Sequence, residues 1–346
     1  MHLSIVAATS HIEPLLPLSQ AAEEAGLYRV WTTEGAGGDA LIRAMHIASG
    51  TRSIRIGTGI AFAFTRPPLA MAAAAADVQE TSGGRFALGI GAGTRGIRER
   101  RYGVTSAFDH PGPRISEYAE LVRAALLAPA GISHHGRFYQ VQYPNFKQLH
   151  TAKLMSDLQI YGASLHPIMT RYMAASCDGV ALHSLGILQP YFEDHLVPAL
   201  KSGAERAGHY PRVAAWIITA VNDDEEEARQ ACRRQLAFYF STPSYASLLD
   251  GHEWADAAEQ IRLEAKDRQY SGWDVIGRLV PEKMIDGLAI AATPMTFKVK
   301  LARLADRLSA GGVDELALQL IGDQDAQQAL RDGLNIVQQC KNYIGS

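Results

Sequence analysis

Short apolar runs rich in valine and isoleucine alternate along the chain with stretches whose apolar residues recur at helical spacing. Glycine, proline and polar residues bound the short runs, as is typical of strands. The runs predict strands at His2–Ala8, Tyr28–Thr33, Ile54–Gly59, Phe86–Gly91, Leu158–Ala163, Gly179–His183, Val213–Val221 and Glu315–Leu320.

The segments between these strands predict helices at Pro14–Ala25, Asp39–Ala48, Pro67–Val78, Ile115–Leu127, Pro167–Ser176, Tyr191–Ala207, Thr296–Ala310 and Asp325–Lys341, with one more beginning near Asp223. Strands that alternate with helices in this way predict an α/β fold, a (β/α)8 barrel, with a doubly wound open sheet as the alternative. An irregular excursion near 129–152 and a helical insertion near 242–286 interrupt the rhythm. We expect one domain over residues 1–346.

Composition narrows the class of protein mainly by exclusion. The 33 basic and 36 acidic residues leave a net charge of -3, which excludes a strongly basic nucleic-acid-binding protein. Three cysteines lie far apart without CxxC spacing, which argues against a disulfide framework and a zinc site. The apolar stretch Leu69–Ala76 is too short to span a bilayer, and the first residues lack a signal-peptide pattern. We therefore expect a cytoplasmic protein that binds neither nucleic acid nor membrane.

A barrel of this kind binds its ligand at the carboxyl ends of the strands. The densest signal there is the loop after the fourth strand, where Gly91, Gly93 and Gly96 fit the GxGxxG pattern. A Rossmann unit would carry this pattern after its first strand, with an acidic residue to bind ribose, and neither condition is met. We interpret these glycines as allowing a ligand close to the backbone. A structural turn without a ligand is the alternative.

Two other strand ends have related features. Gly57-Thr58-Gly59-Ile60 ends the third strand with two glycines, which permit unusual backbone geometry, although a plain strand exit is nearly as good an explanation. Gly162-Ala163-Ser164 leads through His166-Pro167 into a helix, whose free N–H groups and dipole favour an anion such as phosphate. Many such turns bind nothing.

Glu34 and His183 are the candidate acid–base residues. Glu34 lies at a predicted strand end beside a glycine loop, where it could act as an acid or base or hydrogen-bond a ligand. The alternative is a carboxylate that caps the next helix, a role better suited to Asp39. His183 could donate to a phosphate or a ring, or could pack at the barrel rim.

Taken together, these stretches resemble the bacterial luciferase-like superfamily of flavin- and deazaflavin-dependent oxidoreductases, most closely the branch that uses coenzyme F420. The matching segments follow the expected order along most of the chain, and SGGRFALGIGAG preceded by RIGTGI is fairly specific. The segments are Val30–Leu41, Thr51–Ile60, Arg66–Ala72, Ser82–Gly93, Cys177–Val180 and Gly203–Gly208.

The resemblance implies a barrel with insertions, often a homodimer, that binds F420 at the carboxyl-terminal mouth and transfers a hydride to or from a small organic substrate. It implies a cis peptide between Gly59 and Ile60 against the ring, with Glu34 facing the polar edge of the ring. The implied cofactor-binding positions are Thr58, Gly59, Ile60, Gly91, Ala92, Gly93, Thr94, Gly162, Ala163, Ser164, Leu165, His166 and His183.

The chain departs from this pattern at two positions. Dehydrogenases of the deazaflavin branch often carry a histidine after the acidic residue and an acid after the glycine loop, but this chain has Gly35 and Thr94 there. These two departures affect the expected substrate chemistry more than the expected cofactor binding. The alternatives are an FMN-dependent monooxygenase on the same fold and a catalytically silent barrel that only binds a ligand or partner.

Overall fold

The sheet that the apolar runs predict is present, and it closes on itself. The structure is a computed structural model that describes residues 1–35, 38–104, 109–147, 150–322 and 325–345, with only the backbone of residues 246 and 247. The strands of the described residues are β1 His2–Ala7, β2 Arg29–Thr32, β3 Arg55–Thr58, β4 Ala61–Phe62, β5 Phe86–Gly91, β6 Ala130–His135, β7 Gln140–Lys147, β8 Gln159–Ser164, β9 Gly179–Leu182, β10 Arg212–Val221, β11 Ala289–Ala292 and β12 Glu315–Gln319.

Helices follow most of the strands and cover the outside of the sheet. In the described residues they are α1 Leu15–Glu24, α2 Ala40–Gly50, α3 Pro68–Thr81, α4 Pro111–Leu127, α5 Ala152–Ser156, α6 Pro167–Ser176, α7 Val197–Ala207, α8 Glu225–Phe240, α9 Pro243–Ala246, α10 Ala255–Asp267, α11 Trp273–Gly277, α12 Glu282–Leu288, α13 Phe297–Ala310 and α14 Ala326–Ile344. Short 3₁₀ segments (Ala63–Thr65, Ser184–Ile187, Ser247–Leu249) and π turns (Ile97–Arg101, Phe192–Leu196) complete the connections.

Eight parallel strands form the closed barrel, in the order β1, β2, β3, β5, β8, β9, β10 and β12, and β12 pairs back with β1. The predicted (β/α)8 barrel is therefore confirmed, and the alternative of an open doubly wound sheet is wrong. Strand β4 adds to β5, and β11 adds to the carboxyl-terminal half of β10.

Every predicted strand is present, with ends that agree to within one residue. The excursion near 129–152 contains an antiparallel hairpin, β6–β7, and the insertion near 242–286 contains helices α9 to α12. Strands β4, β6, β7 and β11 were not predicted from the sequence. Strand β11 reads AIAA, which lacks a strand-specific pattern, and the side chains of the hairpin are mostly exposed.

The barrel interior is a packed core in which a buried ion pair lies. Inward-facing apolar side chains include Trp31 and Trp216, whose ring centroids are 5.0 Å apart. Below them, the Arg29 guanidinium lies 3.2 Å from a Glu315 carboxylate oxygen, and both residues are almost fully buried. The Trp31 indole N–H donates to the other Glu315 oxygen at 2.7 Å. Both aromatic rings thus fill the barrel beneath its mouth.

The described residues bear on three expectations, which concern membrane-spanning helices, metal sites and disulfides. Within them, no helix is both long and apolar enough to cross a membrane. In that part of the chain no cluster of three or more histidine, cysteine or acidic residues could bind a metal ion. Cys177, Cys232 and Cys340 are buried free thiols, and burial raises the pKa of each thiol to about 12.

Candidate active site

The ends of β3, β5 and β8 meet at the carboxyl-terminal mouth of the barrel and bring three predicted stretches together. A Cβ added to Gly91 would lie 2.2 Å from Ile60 Cδ1 and 3.2 Å from the Cβ of Ala163. A Cβ on Gly59 would lie 2.5 Å from Cζ2 of Trp216. Gly59 and Gly91 therefore leave room at this half of the mouth for the neighbouring side chains of Trp216 and Ile60, which pack directly against them.

The strand end at Gly59 adopts the backbone geometry that the resemblance implies. The Gly59–Ile60 peptide bond is cis, so this prediction is confirmed. Thr58 is fully buried, and its hydroxyl donates to the Gly89 carbonyl and accepts from the Gly89 N–H, both at 2.8 Å. Thr58 therefore supports the strand end from behind, and its side chain does not face the mouth.

The loop after β5 leaves backbone donors available at the mouth. Gly93 has a φ of +65°, a region that favours glycine, and Ala92, Gly93 and Thr94 are partly exposed. Within the described residues, the N–H groups of Gly93 and Thr94 donate to no acceptor. The Thr94 hydroxyl accepts from the Ile97 N–H at 3.3 Å, which begins the following π turn.

The turn after β8 contributes a helix amino terminus to the same rim. His166 is the N-cap of α6, but its side chain does not cap the helix, since its Nε2 pairs with the Ser244 carbonyl at 3.0 Å. Among the described residues, the N–H groups of Leu165 and His166 have no acceptor. Such an uncapped terminus suits an anion.

Two other residues predicted in this turn face away from the mouth. A Cβ on Gly162 would lie 2.3 Å from the Met173 sulfur, so Gly162 is small in order to pack against α6. The Ser164 hydroxyl accepts from the Thr170 hydroxyl at 3.1 Å on the same side. Of Gly162, Ala163 and Ser164, only Ala163 borders the mouth.

Glu34 is almost fully buried in a network of donors that joins three loops. Its oxygens accept from the Arg66 guanidinium at 2.8 and 3.0 Å, from the Phe62 N–H at 3.0 Å and from the Tyr102 hydroxyl at 3.1 Å. Arg66 also pairs with Asp39, which caps α2 through the N–H groups of its first turn. Asp39 therefore has the capping role and Glu34 does not.

The same network fixes the charge of Arg66 and the protonation of Tyr102. Burial acts to lower the pKa of Arg66, but hydrogen bonds and charge from Glu34 and Asp39 more than offset it, so the pKa is raised. Burial raises the pKa of Tyr102, and the Glu34 charge adds to that shift. Arg66 thus remains a cation and Tyr102 a neutral donor.

Replacing Glu34 with glutamine is expected to lower the free energy of unfolding by about 1.5–3 kcal/mol, because hydrogen bonds to charged groups contribute about that much. Urea unfolding measures the change. The matched control is Tyr102→Phe, which removes one hydrogen bond from the same carboxylate; because Tyr102 is 37% exposed and water can replace this bond, it should cost only about 0.5–1.5 kcal/mol. Equal losses for both variants would show that the carboxylate charge does not hold this network together.

His183 follows β9 on the opposite half of the mouth. Its Nδ1 accepts from the Leu185 N–H at 3.2 Å, which leaves the proton on Nε2. Burial lowers the pKa of His183 to about 4, and the charge of His166 adds to the shift, so the ring is neutral near pH 7. Its ring centroid lies 4.6 Å from that of Tyr239 and 4.8 Å from that of Tyr245.

Several residues that the structure places at this mouth were not predicted from the sequence. Arg66 holds Glu34, Trp216 lies under Gly59, and Gln319 donates to the Tyr239 hydroxyl at 2.6 Å. The one available signal was Gln319, a polar residue that follows the apolar run Leu316, Ala317 and Leu318 in the last predicted strand.

Comparison with known proteins gives the class of this fold and site. The model of the luciferase-like monooxygenase family matches residues 2–311, so the chain belongs to that family, which comprises oxidoreductases.

The similar proteins include both an F420-dependent reductase and an FMN-bound monooxygenase. The 5,10-methylenetetrahydromethanopterin reductase of Archaeoglobus fulgidus is 25% identical over 326 residues, which cover 92% of this chain and 93% of the reductase. Among solved structures, the coenzyme F420 dependent tetrahydromethanopterin reductase from Methanopyrus kandleri has a TM-score of 0.78 at 23% identity and covers 96% of this chain and 97% of its own. The oxygenating constituent of 3,6-diketocamphane monooxygenase from Pseudomonas putida, in complex with FMN, has a TM-score of 0.69 at 14% identity and covers 99% and 98%.

Proposed function

We propose that this protein is an F420-dependent oxidoreductase that transfers a hydride between the deazaflavin and a small organic substrate. The observation that carries the proposal is the half of the mouth built by Gly59, Gly91 and Ala163 above Trp216. The glycines keep further projecting side chains off this surface, so that a flat ring could pack against the backbone and Ile60. The similarity to reductases supports the deazaflavin over a flavin.

The residues at the mouth fit both the ring and the phosphate end of such a cofactor. Ile60 and Gly59 would contact the ring, while the backbone of Ala92, Gly93 and Thr94 would hold the polar chain that extends from it. The open N–H groups of Leu165 and His166, at the amino terminus of α6, would bind the phosphate. Thr58, Gly162 and Ser164 support this surface from behind, since their contacts lie away from the mouth.

When bound in reduced form, a deazaflavin supplies a hydride from the carbon that replaces the reactive N5 of a flavin. The protein would orient the substrate over the open face of the ring and exclude water from it. His183 would act there as a neutral hydrogen-bond donor through Nε2, because its pKa is lowered to about 4. Glu34 was predicted to act as an acid or base; its occupied oxygens favour a positioning role through Arg66.

An FMN-dependent monooxygenase is the second candidate. The positions that often carry a histidine and an acid in deazaflavin dehydrogenases are occupied by Gly35 and Thr94. The Thr94 hydroxyl accepts from the Ile97 N–H at 3.3 Å, and an alcohol is too weak an acid to replace either group as a proton donor. The resemblance in fold to an FMN-bound monooxygenase is consistent with this candidate.

A binding titration distinguishes the candidates. Purified protein is titrated with F420 and with FMN, each oxidised and reduced, and followed by absorbance and fluorescence. We expect F420 to bind at least about tenfold more tightly than FMN, a difference of about 1.4 kcal/mol. A preference for reduced FMN would replace the proposal with the monooxygenase, and binding of neither would support a barrel without redox chemistry.

A further inference from the structure

The mouth of the barrel has two chemically different halves. The ends of β3, β5 and β8 carry glycine and alanine, whereas the ends of β9 and β12 carry His183 and Gln319. Strand β10 separates those last two strands, and Tyr239, at the end of α8, joins them. The second half of the mouth consists of His183, Tyr239 and Gln319. Of these three residues, only His183 was given a role in the proposed function above.

The hydroxyl of Tyr239 is hydrogen-bonded to an inward-facing residue of the barrel. Ala317 belongs to the inner core of the barrel, and Gln319, two residues further along β12, faces the same way. Gln319 is only 4% exposed, and its amide donates to the Tyr239 oxygen at 2.6 Å. Because Gln319 donates to that oxygen, Tyr239 retains its own phenolic proton as a donor, and the Ser184 hydroxyl lies beside it.

His183 offers a second neutral donor beside Tyr239. Its Nδ1 accepts from the Leu185 N–H, so the hydrogen lies on Nε2, which donates to no acceptor in the described residues. Both side chains are partly exposed at the mouth, and their rings are in edge contact with centroids 4.6 Å apart. Two neutral donors therefore border the same opening.

This half of the mouth is uncharged over the described residues. The groups that influence Tyr239 are the neutral Gln319 and Ser184, and the titratable side chain that influences His183 is His166. In the described part of the chain, no lysine, arginine or carboxylate makes an ion pair or hydrogen bond with either side chain. A charged substrate group would lose its hydration here without a countercharge, which is costly.

We propose that Tyr239 and His183 bind the carbonyl oxygen of an uncharged aldehyde or ketone, and that Tyr239 is the proton donor for its reduction. The proposal rests on the proposed function for its hydride source, a reduced deazaflavin. The hydride forms the new C–H bond at the carbonyl carbon, and the C=O π pair becomes a lone pair on oxygen. That oxygen takes the Tyr239 proton, and water then reprotonates the phenolate. The amide of Gln319 stabilises the negative charge while it lies on Tyr239.

The test compares Tyr239→Phe with Tyr245→Phe, a matched control that removes a hydroxyl from the same aromatic cluster without breaking the bond to Gln319. Each protein is titrated with carbonyl-labelled ¹³C-cyclohexanone, both with oxidised F420 bound and without cofactor. The carbonyl ¹³C shift and the dissociation constant are read by NMR, so no turnover is required. Circular dichroism verifies the fold of both variants.

We expect cyclohexanone to bind wild-type protein with a downfield carbonyl shift, and Tyr239→Phe to weaken binding about five- to tenfold and reduce that shift. Tyr245→Phe should stay within about twofold of wild type, and a ketone bearing a carboxylate should bind more weakly than cyclohexanone. Equal binding to wild type and Tyr239→Phe, no binding to wild type, or tighter binding of the carboxylate would overturn the proposal.

Failure of the cofactor proposal would look different. In that case neither variant nor wild type would bind F420, while the carbonyl shift of cofactor-free protein would still report on Tyr239.

Discussion

Replacing Glu315 with glutamine is expected to lower the free energy of unfolding by about 3–5 kcal/mol, because it leaves the Arg29 guanidinium charged and unpaired inside the barrel. Arg29 is 1% exposed and Glu315 3% exposed. Burial acts to lower the pKa of Arg29, but the Glu315 charge more than offsets it and the pKa is raised, so arginine stays ionised in the native state. Urea unfolding followed by circular dichroism measures the loss.

A matched control comes from an exposed pair. Glu264 in α10 pairs with Arg268, the residue that directly follows this helix, and the two side chains are 37% and 42% exposed. Glu264→Gln should change stability by less than about 0.5 kcal/mol, since surface pairs contribute little. The double variant Arg29→Met with Glu315→Leu should recover most of the loss, because apolar replacements of a buried pair are often neutral. A loss below about 1 kcal/mol for Glu315→Gln would contradict this account of the core.

The barrel could be predicted from the sequence because its strands are buried on both faces. Such strands appear as continuous apolar runs bounded by glycine and polar residues, and Phe86–Gly91 has the same bounds in the sequence and in the structure. The hairpin β6–β7 and β11 carry no comparable signal. In the hairpin exposed polar side chains dominate, and β11 takes its place by pairing with β10, about 70 residues earlier, which is a tertiary effect.

The backbone half of the candidate site was predictable for a related reason. Glycine at a strand end permits backbone conformations that other residues rarely adopt. Gly59, Gly91 and Gly93 can therefore be recognised as candidate site residues without knowledge of their distant neighbours. The partners of the polar side chains were not visible. Arg66 reaches Glu34 across 32 positions and Gln319 reaches Tyr239 across 80, and these contacts exist only once the barrel closes.

Replacing Gly93 with alanine is expected to weaken binding of the cofactor, F420 in our proposal, by about tenfold or more. Gly93 has a φ of +65°, which costs an alanine about 1–2 kcal/mol, and its Cβ would lie 3.1 Å from the Phe62 ring. To avoid the positive φ and the contact with Phe62, the loop would have to rotate. We expect this rotation to turn the N–H groups of Gly93 and Thr94 away from the mouth. Those groups have no other acceptor among the described residues, so binding loses donors that a glycine holds in place.

Gly83→Ala separates this effect from backbone strain alone. Gly83 has a φ of +64°, a Cβ there would meet nothing within 4 Å, and the residue follows α3, before β5 begins, at the other end of the barrel from the mouth. Gly83→Ala should lose about 1–2 kcal/mol of stability by urea unfolding, and Gly93→Ala at least as much, because only its Cβ also meets Phe62. Only Gly93→Ala should lose affinity in the cofactor titration. If both variants bound the cofactor as wild type does, the loop after β5 would not hold it, and if both lost affinity equally, the loss would follow from stability and not from contact.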